Sequence, residues 1–395
     1  MRPRADILPP CRPAGRRLAW WLVLVAVVVL PARGQLEFSG YVATFPTYQW
    51  TSPEVARYFG LDTEQFLTVT RLRLRPLVSL WSDTHIGLEY EVSCLTYSSF
   101  LPKDVRLAQP RGQVVDLTWT IAEGDHVSAV HFVDRLYIRQ GFGAGDLIVG
   151  RQRIALGTGR VWNPTDLFNP LNPTTYAKLE KDGVDAAMAR FHLGNFTDLT
   201  LVVNPERDWD TVNVGGRFRT NFAEFDVSVM SGVFRKRLVA GCDFAGNLLD
   251  AGVRAEAIYS TSAQDHADRY VKLIAGADYQ FTPELYALIE YHFNGQGMTD
   301  PMQYDLARLA TGEVLNLSRN YLALQGSYLV HPLVTTSLSA IVNLDDGSSY
   351  LGGLVSYSVS DEISVSLGVR LFPGQAYDEY WYYPDGLYAK ADLYF

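Results

Sequence analysis

Arginine side chains at alternate positions are the first feature of the sequence that could do chemistry. Arg71, Arg73 and Arg75 are separated by single residues. If this segment is a β-strand, its period of two places the three guanidinium groups on one face of a sheet. Such a row can select anions or acidic sugars. Two further arginine pairs have even spacing, and we assign them the same pore-lining role: Arg135 with Arg139, and Arg151 with Arg153.

A sheet face that carries three arginines is poorly suited to contact lipid, because each arginine at the middle of a bilayer costs roughly 2–4 kcal/mol of free energy. We therefore expect this face to line a water-filled lumen. The next predicted strand carries Glu89 and Glu91 on one face, where they can pair with Arg73 and Arg75. Two roles stay open for the arginines. They can brace a barrel through ion pairs, or they can form an electropositive track that selects anions.

A loop rich in proline and asparagine is the second candidate element. It spans residues 157–173, and from Asn163 to Pro173 it contains three prolines and three asparagines. Asn-Pro steps favour turns and restrict the backbone, so the sequence predicts an ordered loop. We expect the loop to fold inward and narrow a pore, and a rigid cap over the rim is the alternative. The residues assigned to this constriction are Arg160, Trp162, Asn163, Asp166 and Phe168.

Sequence motifs for an enzyme or a metal site are not found. The chain has no Gly-x-Ser-x-Gly or His-Glu-x-x-His segment and no cluster of His or Cys with zinc spacing. Glu290 and His292 share one face of a predicted strand and are the only suggestive acid–base pair. A satisfied pair inside a lumen is the simpler interpretation. We therefore predict no catalytic residue, no metal and no cofactor.

The elements that position these residues are predicted to be strands. After residue 34, stretches of about 9–16 residues alternate apolar with polar side chains and are separated by turn residues. This pattern predicts an all-β fold, a transmembrane antiparallel up-and-down barrel of about 18 strands, with 16 as the alternative. The upward strands are placed at 36–46, 84–97, 145–156, 196–204, 222–235, 250–261, 284–295, 333–344 and 361–372. The downward strands are placed at 64–80, 128–140, 182–193, 210–219, 237–245, 268–281, 317–330, 347–358 and 385–395.

The links between these strands are sorted by length, as in bacterial barrels, where short periplasmic turns alternate with longer outer loops. The long links fall on one side, at 47–63, 98–127, 157–181, 296–316 and 373–384. The last predicted strand is amphipathic and ends on Phe395. A final strand of this kind resembles the signal by which the barrel-assembly machinery recognises outer-membrane proteins, so we assign that role to Phe395.

The amino-terminal segment, residues 1–34, is predicted to be a cleaved signal peptide. Arginines precede an apolar run from Leu18 to Leu30, and small residues follow it. Residues 35–395 then form one barrel domain. The segment removed holds six arginines and one aspartate, so the mature chain keeps 28 of 34 basic and 42 of 43 acidic side chains, a net charge of −14. This charge argues against nucleic-acid binding.

The average hydropathy agrees with a barrel. Mean hydropathy is −0.02, too low for a protein with several membrane-spanning helices. A barrel hides its apolar residues at every second position, so its average stays close to neutral.

Three segments resemble a known group of proteins. Asp134 to Tyr137, Gly150 to Arg153, and Trp162 to Phe168 resemble uncharacterised bacterial outer-membrane barrels, which are in turn similar to alginate-export and carbohydrate-porin-like channels. The resemblance covers roughly residues 60–260. It implies an 18-strand type of channel in the bacterial outer membrane, with inward arginines suited to acidic or sugar solutes.

Together these features predict a channel for passive diffusion of small hydrophilic solutes, anionic or sugar-like. Its partners are outer-membrane lipid, the barrel-assembly machinery and the solutes. The alternatives are a barrel that does not conduct and acts as a scaffold or adhesin, and a barrel hydrolase.

Overall fold

A single antiparallel sheet forms the protein in the computed structural model, which describes residues 35–99, 112–168, 180–207, 211–310 and 312–395. The predicted signal peptide lies outside these residues. The first strands are β1 (Gln35–Trp50), β2 (Glu64–Trp81), β3 (Thr84–Tyr97), β4 (Thr118–Glu123), β5 (Val127–Phe142) and β6 (Gly145–Gln152). The next are β7 (Val184–His192), β8 (Asp198–Pro205), β9 (Val212–Phe222), β10 (Phe225–Phe234), β11 (Arg237–Leu248) and β12 (Ala251–Ser262). The last are β13 (Arg269–Gln280), β14 (Leu285–Asn294), β15 (Asn320–His331), β16 (Val334–Asn343), β17 (Ser349–Ser358), β18 (Ile363–Leu371) and β19 (Asp385–Tyr394).

Helices are short and lie in the links. They are α1 (Pro53–Phe59), α2 (Leu306–Ala310) and two 3₁₀ turns, Pro301–Gln303 and Glu379–Tyr382. Within the residues described, none of the helices is long and apolar enough to cross a membrane.

Eighteen of the strands close into a barrel, which confirms the predicted fold and strand number. Each predicted strand is found within a few residues of its predicted limits, and the one placed at 237–245 is β11. The sequence analysis missed β4, which it placed inside the 98–127 link. This strand has six residues and pairs only with the start of β5, so it adds to the rim without crossing the barrel.

The pairing of β1 with β19 closes the ring. At its lower end the backbone N–H of Gly40 donates to the carbonyl of Phe395 at 2.8 Å, and the N–H of Phe395 donates back to Gly40 at 3.1 Å. The Phe395 ring stacks on Phe38 with 6.1 Å between centroids. A Cβ atom at Gly40 would collide with this ring and with the Arg73 carbonyl, so the seam requires a glycine there.

The two faces of each strand differ as a membrane barrel requires. In β18, the side chains of Val365 and Leu367 are exposed, whereas Ser366 and Arg370 between and beyond them are buried. The apolar face therefore points outward and the polar face inward. The long links lie at one end of the barrel, and tight turns such as 82–83, 143–144 and 249–250 lie at the other.

Candidate functional site

The inner wall of β2, β3 and β5 holds a dense cluster of charges. Arg73 of β2 is 4 % exposed and pairs in register with Glu91 of β3. Its guanidinium donates to Glu91 at 3.0 Å, to Glu89 at 3.0 Å, and also to Asp134. One buried arginine thus serves three carboxylates.

A β-bulge in β5 makes this arrangement possible. Val133 pairs with Tyr90 and Arg135 pairs with Glu89, so Asp134 is an extra residue between them. A bulge lets two successive side chains point to the same face. Asp134 therefore reaches Arg73, while Arg135 donates to Glu89 at 2.7 Å.

Glu180, from the end of the link after β6, completes the cluster. It accepts from Arg135 at 3.0 Å and from Arg75. Arg71 lies 3.6 Å from Glu91. We call these residues the arginine–carboxylate cluster: Arg71, Arg73, Arg75, Arg135, Glu89, Glu91, Asp134 and Glu180.

The four arginines of this cluster are matched by four carboxylates, so their formal charges cancel. Ion pairs buried in this way lose much of their hydration, and removal of one partner is costly because it leaves an unpaired charge. The arrangement therefore suits the bracing role well. Arg75, with 30 % of its side chain exposed, is the most exposed of the four arginines of the cluster.

The other predicted arginines lie elsewhere. Arg139 pairs with Asp146 at 3.1 Å and keeps half of its side chain exposed. Arg151 is 3 % exposed and donates to Asp185 at 2.8 Å and to the Val133 carbonyl at 3.0 Å. Arg153 follows the end of β6 and is exposed.

The link after β6 runs from the arginine wall to the far side of the barrel. The backbone N–H of Gly159 donates to Glu256 of β12 at 2.7 Å, and that of Thr165 donates to the same carboxylate at 3.0 Å. The N–H groups of Arg160 and Trp162 donate to Glu290 of β14 at 2.9 and 2.7 Å. Strands β12 and β14 are six and eight places around the ring from β6.

Backbone amides and two carboxylates thus hold this segment. Val161 also donates to Glu290, at 3.2 Å, so three successive N–H groups converge on one carboxylate. Such a concave run of amides is an anion-binding arrangement. Glu256 and Glu290 are 2 % and 1 % exposed, and hydrogen bonds to charged acceptors are stronger than neutral ones.

Apolar contacts fill both sides of residues 158–168, which we call the crossing segment. Phe168 packs edge-on against Phe234, 4.9 Å between centroids, in a core that includes Ile154 and Leu156. On the other side Trp162 stacks on His292 at 5.1 Å and donates from its indole N–H to Asn316 at 3.1 Å.

The remaining constriction residues have separate local roles. Asn163 accepts from the Asp166 N–H at 3.1 Å in a turn, and Asp166 is ion-paired with Lys181. Arg160 is exposed and lines an acidic hollow with Asp226 and Asp278. The predicted residues Asn169 to Pro173 lie outside the described part of the chain.

Glu290 and His292 do not form the acid–base pair that their spacing suggested. Glu290 accepts backbone N–H groups, and the His292 ring lies against Trp162 with Nδ1 at 3.1 Å from the Leu273 carbonyl. Among the described residues, no group of three or more His, Cys, Asp or Glu side chains is arranged to hold a metal.

Glu379, in the β18–β19 link, joins this link to the β14–β15 link and to the outer ends of strands β15 and β16. Its carboxylate is 1 % exposed and accepts from the Leu317 N–H at 3.0 Å, from Asn343 at 3.1 Å and from the Tyr321 hydroxyl. Burial raises the pKa of Glu379 to about 7, and the hydrogen bond from Tyr321 limits that rise.

Three residues that hold this site together were not predicted from the sequence. Asp134, Glu180 and Glu256 were not assigned to it. Glu256 could have been found from the sequence, because it is the one acidic residue on the inward face of β12 and follows Ala255 directly in the chain. Asp134 left none, because its inward orientation depends on a bulge.

Comparisons with known proteins identify the fold. No protein-family model and no curated protein sequence matches the chain. Among solved structures it is similar to OccAB1 of Acinetobacter baumannii, with 9 % identity, a TM-score of 0.57, and 91 % of this chain and 96 % of that one covered. It is also similar to OccK7 (OpdD) of Pseudomonas aeruginosa, with 9 % identity, a TM-score of 0.55, and 92 % and 98 % covered.

These neighbours are outer-membrane porins, which are channels. At such low identity the similarity shows the fold alone. The chain therefore has a porin-like barrel fold, and the similar structures are Occ porins rather than alginate-export channels. The apolar exterior and polar interior fit a barrel that crosses a membrane.

We predict that Glu290→Gln loosens the crossing segment. The variant weakens three backbone hydrogen bonds by removing the charge of their acceptor. The expected result is larger and noisier single-channel current in planar bilayers. Glu284→Gln, in an exposed turn, is the control. An unchanged current in Glu290→Gln would contradict the anchoring role.

We predict that the outer links lose stability as the pH rises. Glu379 has a folded pKa of about 7, above its ordinary value of 4.5, so the folded state binds more protons between these values. The free energy of unfolding should then fall by at most about 3 kcal/mol as the pH rises from about 4.5 to about 7. Urea unfolding across this range measures the effect, and Glu379→Gln should remove it. A Glu379→Gln variant with the same pH dependence as the parent would show that another group is responsible.

Proposed function

We propose that the chain is a channel of the bacterial outer membrane for passive diffusion of small hydrophilic solutes, anionic or sugar-like. One observation carries the proposal: 18 strands close into a barrel with an apolar exterior and a polar interior. At about this strand number, a barrel leaves room for an aqueous path. The Occ porins with the same fold support the assignment.

The crossing segment is proposed to set the constriction. It brings Trp162 and Phe168 into the barrel, where both are buried, and leaves Arg160 exposed to the lumen. The segment is held at Glu256 and Glu290. A solute would then pass between this segment and the wall formed by the arginine–carboxylate cluster.

Any preference for anions is proposed to come from arginines that keep exposed surface. The arginine–carboxylate cluster is charge-matched, so its buried members contribute little net potential. Arg75 and Arg139 keep 30 % and 50 % of their side chains exposed. The resemblance to alginate-export and carbohydrate-porin-like channels adds sugars to the solute classes.

Insertion is proposed to use the last strand. Phe395 lies at the seam between β1 and β19, so recognition of this strand by the barrel-assembly machinery would act on the edge that closes the ring. The exposed apolar face would then contact outer-membrane lipid.

A scaffold that does not conduct is the second candidate, and one observation favours it. The crossing segment and the β18–β19 link pack apolar residues into the barrel, including Trp162, Phe372 and Tyr380. If this packing seals the lumen, the barrel would serve as a surface scaffold or adhesin.

We predict that purified protein conducts in planar bilayers. Discrete and stable current steps are expected, because an aqueous path through the barrel admits ions. Heat-modifiable gel mobility provides the check that the barrel is folded. Folded protein without conductance would favour the scaffold.

We predict that Arg139→Ser shifts ion selectivity towards cations. The change removes an exposed positive charge and leaves Asp146 without this ion pair. The reversal potential in a salt gradient measures the shift. Arg57→Ser, which removes the same charge from exposed helix α1, is the control. Equal reversal potentials for the two variants would contradict a selective role for Arg139.

A further inference from the structure

Three neighbouring strands of the barrel contain none of the four residue types that are charged at neutral pH. β15, β16 and β17 contain no aspartate, glutamate, lysine or arginine. Leu324, Leu338 and Leu351 of these strands are 43 %, 71 % and 39 % exposed and face the lipid. The alternate positions therefore face the lumen. We call this inner face of β15, β16 and β17 the uncharged wall.

Polar side chains on the uncharged wall have free hydrogen-bonding capacity. Ser337 pairs in register with Ser327, and Ser339 pairs with Gln325, so the four side chains form a compact group. In the part of the chain that the structure describes, none of the four side chains hydrogen-bonds to another protein group. Each is therefore free to exchange a water for a hydroxyl group of a solute.

Two tyrosine side chains lie close to glycines at the same surface. The hydroxyl of Tyr350 occupies the space that a Cβ atom at Gly352 would take, and the ring of Tyr388 from β19 does the same at Gly368. The Tyr350 ring also packs against Phe372, with 5.3 Å between ring centroids, and both tyrosines keep surface on the hollow between these strands. Aromatic faces carry negative charge density and attract the C–H bonds of a sugar ring.

These groups surround one hollow of about 300 Å³. Its lining includes Gln325, Ser327, Ser337 and Ser339 together with Tyr350 and Tyr388. The volume lies at the lower end of the range for small-molecule sites. The hollow thus combines hydroxyl and amide groups with aromatic faces and no formal charge.

We infer that the uncharged wall, with Tyr388, binds uncharged polyhydroxylated solutes, such as neutral sugars, on their way through the barrel. The inference rests on the proposed function as a channel and chooses between its two solute classes. Hydroxyl groups satisfy the serines and Gln325, and the pyranose face stacks on tyrosine. An anion gains no charge partner on this wall.

The opposite chemistry of the arginine–carboxylate cluster supports this choice. There the guanidinium groups are held by carboxylates, and Arg73 alone donates to three of them. An anion would have to compete with these carboxylates. The uncharged wall offers unoccupied donors and acceptors instead.

Current recordings with added sugar test the inference. Maltose, a neutral disaccharide, should produce brief blocks of the current through the parent channel that saturate with concentration. A polyethylene glycol of equal hydrodynamic radius should not. Tyr350→Ala and Tyr388→Ala should each weaken maltose binding by about two- to tenfold, whereas Tyr→Phe variants should keep it, because the ring remains. Tyr357→Ala, on the lipid face of β17, is the matched control.

Three outcomes would overturn the inference. They are equal block by maltose and the polymer, maltose binding in Tyr350→Ala and Tyr388→Ala that matches the parent, and tighter binding of glucuronate than of maltose. Titration calorimetry of maltose into folded protein in detergent measures binding without current. Conductance without maltose binding rejects the sugar site alone, whereas maltose binding without conductance rejects the channel alone.

Discussion

The barrel depends on one constraint, that backbone amides inside a bilayer have partners. An unpaired N–H or C=O group in hydrocarbon costs several kcal/mol, so a sheet in a membrane cannot keep an open edge. The pairing of β1 with β19 removes that edge here, and Gly40 lets the Phe395 ring lie close to the seam. Once the ring is closed, each strand has one lipid face and one lumen face. Period two then assigns nearly every side chain to one of them.

Charge inside the barrel is stabilised in two different ways. Around Arg73, guanidinium and carboxylate groups neutralise one another across three strands. Among the residues that the structure describes, no cation forms an ion pair with Glu256 or Glu290, and both are held by backbone N–H groups of the crossing segment. The ion pairs around Arg73 join neighbouring strands of the wall. The hydrogen bonds to Glu256 and Glu290 fix the link after β6 to strands on the far side of the barrel. The uncharged wall needs neither, because it carries no charge.

The fold could be read from the sequence to a large extent, because alternation and turn residues are local signals. Even β11, with its small residues Ala240 and Gly241, lay where alternation placed it. The short strand β4 was missed because it does not cross the barrel. Glu89 and Glu91 were expected near Arg73 and Arg75 because adjacent antiparallel strands bring them together. Asp134 depends on a bulge, and Glu180 and Glu256 depend on where a long link docks, which local pattern does not specify.

The crossing segment also bears on the order in which the barrel matures. Its partners lie far along the chain, since Gly159 and Glu256 are separated by 97 residues and Trp162 and Glu290 by 128. Contacts of such long range form late, because the intervening chain must first be ordered. The segment cannot dock before β12 and β14 stand in the wall. Until then the backbone N–H groups of residues 159–162, and the carboxylates of Glu256 and Glu290, lack the partners that they have in the finished barrel.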